Sequence, residues 1–114
     1  MPETQGSVVC NDIIYELSIS NYVDSINISG WAYRKKQKNA GKIQLILVNE
    51  EGNQYLLDPD TVKRYDLKYI YMSNNLVDAG FSVYLSKEFL NRKYHIYIMI
   101  GDKVINTVYD ISLN

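Results

Sequence analysis

Apolar and polar residues alternate with a period of two along most of this chain, and turn-forming residues cut the alternation into short segments. Ile13, Tyr15, Leu17 and Ile19 share one face of a first strand. Asn21 to Asp24 supply a turn, and Ile26, Ile28, Gly30 and Ala32 form the next inward face. Ile43 to Asn49 is nearly all apolar, as suits a central strand. Glu50-Glu-Gly-Asn53 reads as a hairpin turn in which Gly52 and Asn53 accept positive φ, and Gln54 to Leu57 returns. Asp58-Pro-Asp60 closes that strand, because proline cannot continue a central ladder. Thr61 to Asn75 fits an edge strand followed by one helical turn. Phe81, Val83 and Leu85 then alternate against Ser82 and Tyr84. Ser86 to Asn91 reads as a single turn with Ser86 as its N-cap. Tyr94, Ile96, Ile98 and Ile100 alternate against His95, Tyr97 and Met99. Gly101-Asp102 makes a two-residue hairpin, so Lys103 to Ile111 pairs antiparallel with the strand before it.

Seven to eight short strands with one or two short helical turns predict an all-β, antiparallel sandwich. Residues 1–12 are expected to form a flexible N-terminal segment and 13–114 a single β-sandwich domain. A chain of 114 residues is long enough to bury a core without disulfide staples. Cys10 is the only cysteine, which excludes an internal disulfide and a cysteine-based zinc site. Met1 to Ser7 has neither the basic nor the apolar region of a signal peptide, and no apolar run is long enough to span a bilayer. The expectation is a cytoplasmic chain without direct membrane insertion. A net charge of -1 gives no electrostatic footprint for nucleic acid.

Little in the sequence suggests catalysis. His95 is the sole histidine, and it sits in mid-strand. It could meet Ser82 or Asp110 across strands, but no nucleophile motif accompanies it, so a half-exposed strand histidine is the simpler reading. Asp58, Asp60 and Asp66 could hold a hard cation, yet they lack the glycine turn and terminal glutamate of an EF-hand loop. No P-loop or dinucleotide fingerprint is present. The chain is therefore expected to be no enzyme, with neither cofactor nor metal. Arg34-Lys-Lys-Gln-Lys38 reads as a solvated loop run, or else as a contact for phosphates. Asn27-Ile28-Ser29 matches a glycosylation sequon by three residues in a strand, which is weak support.

Tyrosine is the unusual abundance: eleven, against two phenylalanines and one tryptophan, so aromatic rings with a polar tip dominate any half-exposed face. Strict alternation puts Trp31 and Tyr33 opposite Ile26 and Ile28. It likewise puts Tyr84, His95 and Tyr97 on outward positions. If those strands share a sheet, its second face carries Trp31, Tyr33, Tyr84, His95 and Tyr97 as a stacking platform for sugar rings. Two other readings stay open. A bulge at Gly30 would flip the register and send Trp31 into the core. Alternatively, the face packs on another domain or subunit.

The run Ile28-Ser-Gly-Trp-Ala32, the strand Lys42 to Val48, and Tyr55 are followed by Arg64-Tyr-Asp66-Leu67, Ala79-Gly-Phe81 and Lys93 to Ile98. This order resembles the accessory immunoglobulin-like modules attached to bacterial glycosyltransferases and teichoic-acid-type polymerases that build cell-surface polysaccharide. The resemblance covers Tyr15 to Ile111. It implies an immunoglobulin-like fold and a non-catalytic module that binds carbohydrate or polyol phosphate. Trp31, Tyr33, Tyr84, His95 and Tyr97 would then line the ligand, and Arg34, Lys35 and Lys36 would meet phosphates. A catalytic glycosyltransferase domain or a second copy would be the protein partner, and a purely structural or oligomerisation role is the alternative. In such modules Arg64, Asp66, Gly80 and Phe81 are structural.

Overall fold

The computed structural model describes residues 3–4, 8–10, 12–34, 42–70, 74–88 and 93–111. The alternating segments form strands β3 (Ile13–Asn21), β4 (Ser25–Arg34), β5 (Ile43–Asn49), β6 (Gln54–Leu57), β7 (Asp60–Val62), β8 (Gly80–Ser86), β9 (Tyr94–Ile100) and β10 (Lys103–Ile111). Two short strands, β1 (Glu3–Thr4) and β2 (Val8–Cys10), precede them and pair antiparallel with β3. Within residues 1–12, expected from the sequence to be a flexible segment, these two strands use the edge of β3, whose backbone groups would otherwise face water.

The strands make two antiparallel sheets. The first runs β1-β3-β4-β8-β7, with β2 also on β3, and the second runs β10-β9-β5-β6. The chain changes sheet between β4 and β5, between β6 and β7, and between β8 and β9. Asp58-Pro59 is the second of these crossings, where the proline ends the β6 ladder. The turns predicted over Asn21–Asp24, Glu50–Asn53 and Gly101–Asp102 are in place, while residues 89–91 of the turn predicted over Ser86–Asn91 lie outside the described residues. Asn49 organises the β5–β6 hairpin by accepting hydrogen bonds on its side-chain oxygen from the N–H groups of Glu51 (3.0 Å) and Asn53 (2.9 Å). Gly52 takes φ 87° there. The Ser86 hydroxyl accepts from the Glu88 N–H at 3.2 Å. The loop predicted over Lys35–Gly41 lies outside the described residues.

The core fills the space between the sheets. Ile13, Tyr15, Leu17, Ile26, Ile28 and Phe81 from the first sheet meet Leu45, Leu47, Ile96, Ile98 and Ile105 from the second. β3 and β4 pair without interruption from Ile13↔Arg34 to Asn21↔Ile26, so no bulge occurs at Gly30. Gly30 instead accommodates close approach. Its φ is 153°, and a Cβ there would lie 1.9 Å from the Glu16 carbonyl oxygen.

Alternation therefore holds through Trp31, yet Trp31 and Tyr33 are both buried. Their cover is the segment between β7 and β8. It forms helix α1 (Tyr65–Ile70) and a 3₁₀ helix (Asn74–Ala79). Leu67, Leu76 and Ala79 from these turns pack with Ile14, Trp31 and Tyr33 into a second apolar cluster on the outside of the first sheet. The Arg64 N–H donates to the Val77 carbonyl at 2.7 Å and ties the two helical turns together.

Candidate functional site: the open half of the first sheet's outer face

The helical cover occupies only part of the outer face of the first sheet. Beyond it lies a groove of about 430 Å³ between the cover and the far strand ends. That volume falls in the ~300–1,000 Å³ range of small-molecule sites. Its floor is set by strand register. Ser18 pairs with Ser29, Ser29 with Ser82, and Ser82 with Asp60, which makes one row of three serines ending at a carboxylate. In the next row Ser20 pairs with Asn27 and Asn27 with Tyr84. Small side chains at these outward positions leave the depression. Asn27 is nearly fully buried and fixed, because its Nδ2 donates to Ser82 Oγ (2.9 Å) and to the Val83 carbonyl (3.1 Å).

The end wall is Arg64. Its stem crosses over Gly80, where a Cβ would sit 2.6 Å from Arg64 Cγ and 2.3 Å from the Val62 carbonyl oxygen. The guanidinium then grips Asp66 in a fork, Nε to Oδ1 at 3.0 Å and Nη2 to Oδ2 at 2.8 Å. That hydrogen bonding holds the Asp66 carboxyl below its ordinary value. Glu16 also lines the groove, and its charge acts on Arg64. At the open end stand two exposed rings, Tyr84 (65 %) and Tyr22 (50 %), with centroids 6.2 Å apart. Tyr22 belongs to the β3–β4 turn, which its N–H closes by donating to the Ser25 carbonyl at 2.9 Å.

The five aromatic residues predicted to share one face do not. Trp31 and Tyr33 lie in the first sheet, stacked at 6.0 Å and covered by α1 and the 3₁₀ helix, so they offer no ligand surface. Tyr84 lies in the same sheet and is exposed. His95 and Tyr97 lie on β9 in the other sheet, because β4 pairs with β8 while β9 pairs with β5 and β10. Sequence parity tells the face of a strand but not the sheet to which it belongs, and that is where the single-platform reading fails.

His95 has its own surroundings. The pairing of β9 and β10 shifts between Asn106 and Asp110, and Thr107 anchors the irregularity by donating to the Ile96 carbonyl at 2.6 Å. The shift brings both flanking side chains onto His95. Nδ1 lies 2.5 Å from Asp110 Oδ1, and Nε2 bonds to Asn106 Oδ1. Partial burial works against a charged ring, but the hydrogen bonds to Asp110 and Asn106 outweigh it and raise the His95 pKa. Ser82, the other sequence-level partner of His95, is in the opposite sheet.

Arg34 is committed to carboxylates: its Nε is 3.5 Å from Asp12 and its Nη1 3.9 Å from Asp102. Desolvation opposes the charge on Asp12, yet Lys103 and Arg34 together hold its carboxyl below the ordinary value. Lys35 and Lys36 fall outside the described residues. Phe81 is a core residue. Asp58, Asp60 and Asp66 do not converge. Asp58 accepts from Gln44 Nε2 at 2.6 Å, and Asp66 is held by Arg64. Among the described residues no group of three or more potential metal ligands is gathered.

Comparison with known proteins adds no relative: no family model, curated protein or solved structure matches the chain. The groove therefore stands on its own geometry. Sequence reasoning does not single out Glu16 or Ser18, and it reaches Asn27 and Ser29 only as a glycosylation sequon and Ser82 only as a possible partner of His95. Their signal is the polar half of the alternation in β3, β4 and β8.

Proposed function

We propose that this chain is a non-catalytic module that binds carbohydrate in the groove on the outer face of its first sheet. The observation that carries the reading is the row of serine hydroxyls, with Ser82 held by the buried Asn27 carboxamide, lying beside the exposed Tyr22–Tyr84 pair. Tyrosine faces suit the apolar faces of sugar rings, and serine hydroxyls suit sugar hydroxyls. Titration calorimetry with oligosaccharides tests it. Tyr84→Ala is expected to weaken binding about two- to tenfold, with the thermal transition unchanged. Oligosaccharide binding indifferent to Tyr84 contradicts it.

The strand order supports a finer fold reading. β3-β4-β8-β7 facing β10-β9-β5-β6 follows the A-B-E-D and G-F-C-C′ arrangement of immunoglobulin-like sandwiches. This agrees with the resemblance to accessory modules of surface-polysaccharide glycosyltransferases, and we extend the proposal to that setting. Expression beside a glycosyltransferase domain, as part of one polypeptide, would be its natural context.

One observation favours the alternative of self-association. The outer face of the second sheet carries exposed Leu56, Val104 and Val108 beside half-buried Ile46, Tyr97 and Met99. Sedimentation equilibrium decides it: a dimer dissociated by Leu56→Lys supports association through this face, and a monomer at all concentrations contradicts it.

A further inference from the structure

The charges around the groove point to the class of glycan it takes, an inference that rests on the carbohydrate reading above. Among the described side chains, four carboxylates besides the Arg64-paired Asp66 border the open half of the face: Glu16 and Asp60 at the serine row, and Asp24 and Glu88 beyond the tyrosine pair. Two cations oppose them, Arg64 and Lys87. Arg64 gives two of its nitrogens to Asp66 and so has little charge left to offer a ligand. Lys63, nearby on the chain, is paired with Asp78. Arg34, the cation that would have met phosphates, is held by Asp12 and Asp102. It also stands far from the tyrosines. Tyr84 pairs with Asn27, and Arg34 lies seven residues further along β4, about 23 Å at ~3.3 Å per residue.

We infer that the groove selects glycans without anionic groups, uncharged or amine-bearing, and rejects polyol-phosphate chains. A phosphate laid along the serine row would meet Asp60 at its β7 end and Glu16, beside Ser18 on β3, at the other. Like charges repel there, whereas a hydroxyl or ammonium meets acceptors. The carboxylates of Glu16 and Asp60 would accept hydrogen bonds from sugar hydroxyls or amines.

The test compares three probes of similar length by calorimetry at low ionic strength: an N-acetylglucosamine oligomer, a glucosamine oligomer and poly(glycerol phosphate). The expected result is Tyr84-dependent binding of the first two and at least about tenfold weaker binding of the phosphate polymer, a gap of ~1.4 kcal/mol. Glu16→Gln combined with Asp60→Asn should narrow that gap without shifting the thermal transition. Equal or tighter Tyr84-dependent binding of poly(glycerol phosphate) overturns the selectivity while leaving the groove as a glycan site. Failure of all three probes to bind overturns the carbohydrate reading itself, and the selectivity with it.

Discussion

Three residues bear separable consequences. Tyr84 is a surface ring whose loss leaves the core intact, so binding and stability should part company in Tyr84→Ala. Gly30 is the opposite case. Any side chain there meets the Glu16 carbonyl, and the φ of 153° is one that other residues rarely adopt. Gly30→Ala should cost about 1–3 kcal/mol for the dihedral alone, with the clash in addition, read as a lowered midpoint in urea unfolding. His95 gives a pH dependence. Its pKa is raised in the folded state, so its contribution to stability is complete below the ordinary imidazole value of 6.5 and is lost as the pH climbs through the raised folded value. NMR titration of the ring should show the raised value in the native protein and its return toward 6.5 in Asp110→Asn.

The segment from Tyr65 to Ala79 does more for the outer face of the first sheet than its short helices suggest. Leu67, Leu76 and Ala79 convert Trp31 and Tyr33 from an exposed platform into a closed cluster. Trp31→Ala should therefore destabilise the fold by about 3–5 kcal/mol. The tryptophan emission of the native protein should be blue-shifted and unresponsive to added glycan. The strands themselves were legible, because period-two alternation and turn residues such as Gly52 and Gly101 act locally. The cover was not. Its three inward residues are spread over two different helical turns, with exposed Tyr65 before them and exposed Tyr69 and Ile70 between them, so no amphipathic period announces it. The groove was hidden for a related reason. Ser18, Ser29 and Ser82 are 11 and 53 residues apart in sequence and become a row only through β3–β4–β8 pairing.

Taken whole, the molecule presents two unlike outer faces on either side of one core. The first sheet offers a polar groove with a tyrosine pair and a carboxylate rim, closed at one end by Arg64. The second offers aliphatic side chains and the His95 clamp. A sugar chain suits the first face, and a protein surface suits the second. The two can be told apart residue by residue in solution. The most direct measurement is a ¹H–¹⁵N NMR titration with an N-acetylglucosamine oligomer. The account predicts shifts concentrated at Ser18, Asn27, Ser29, Ser82 and Tyr84, with β9 and β10 undisturbed. An unperturbed spectrum, or shifts confined to the second sheet, would contradict it.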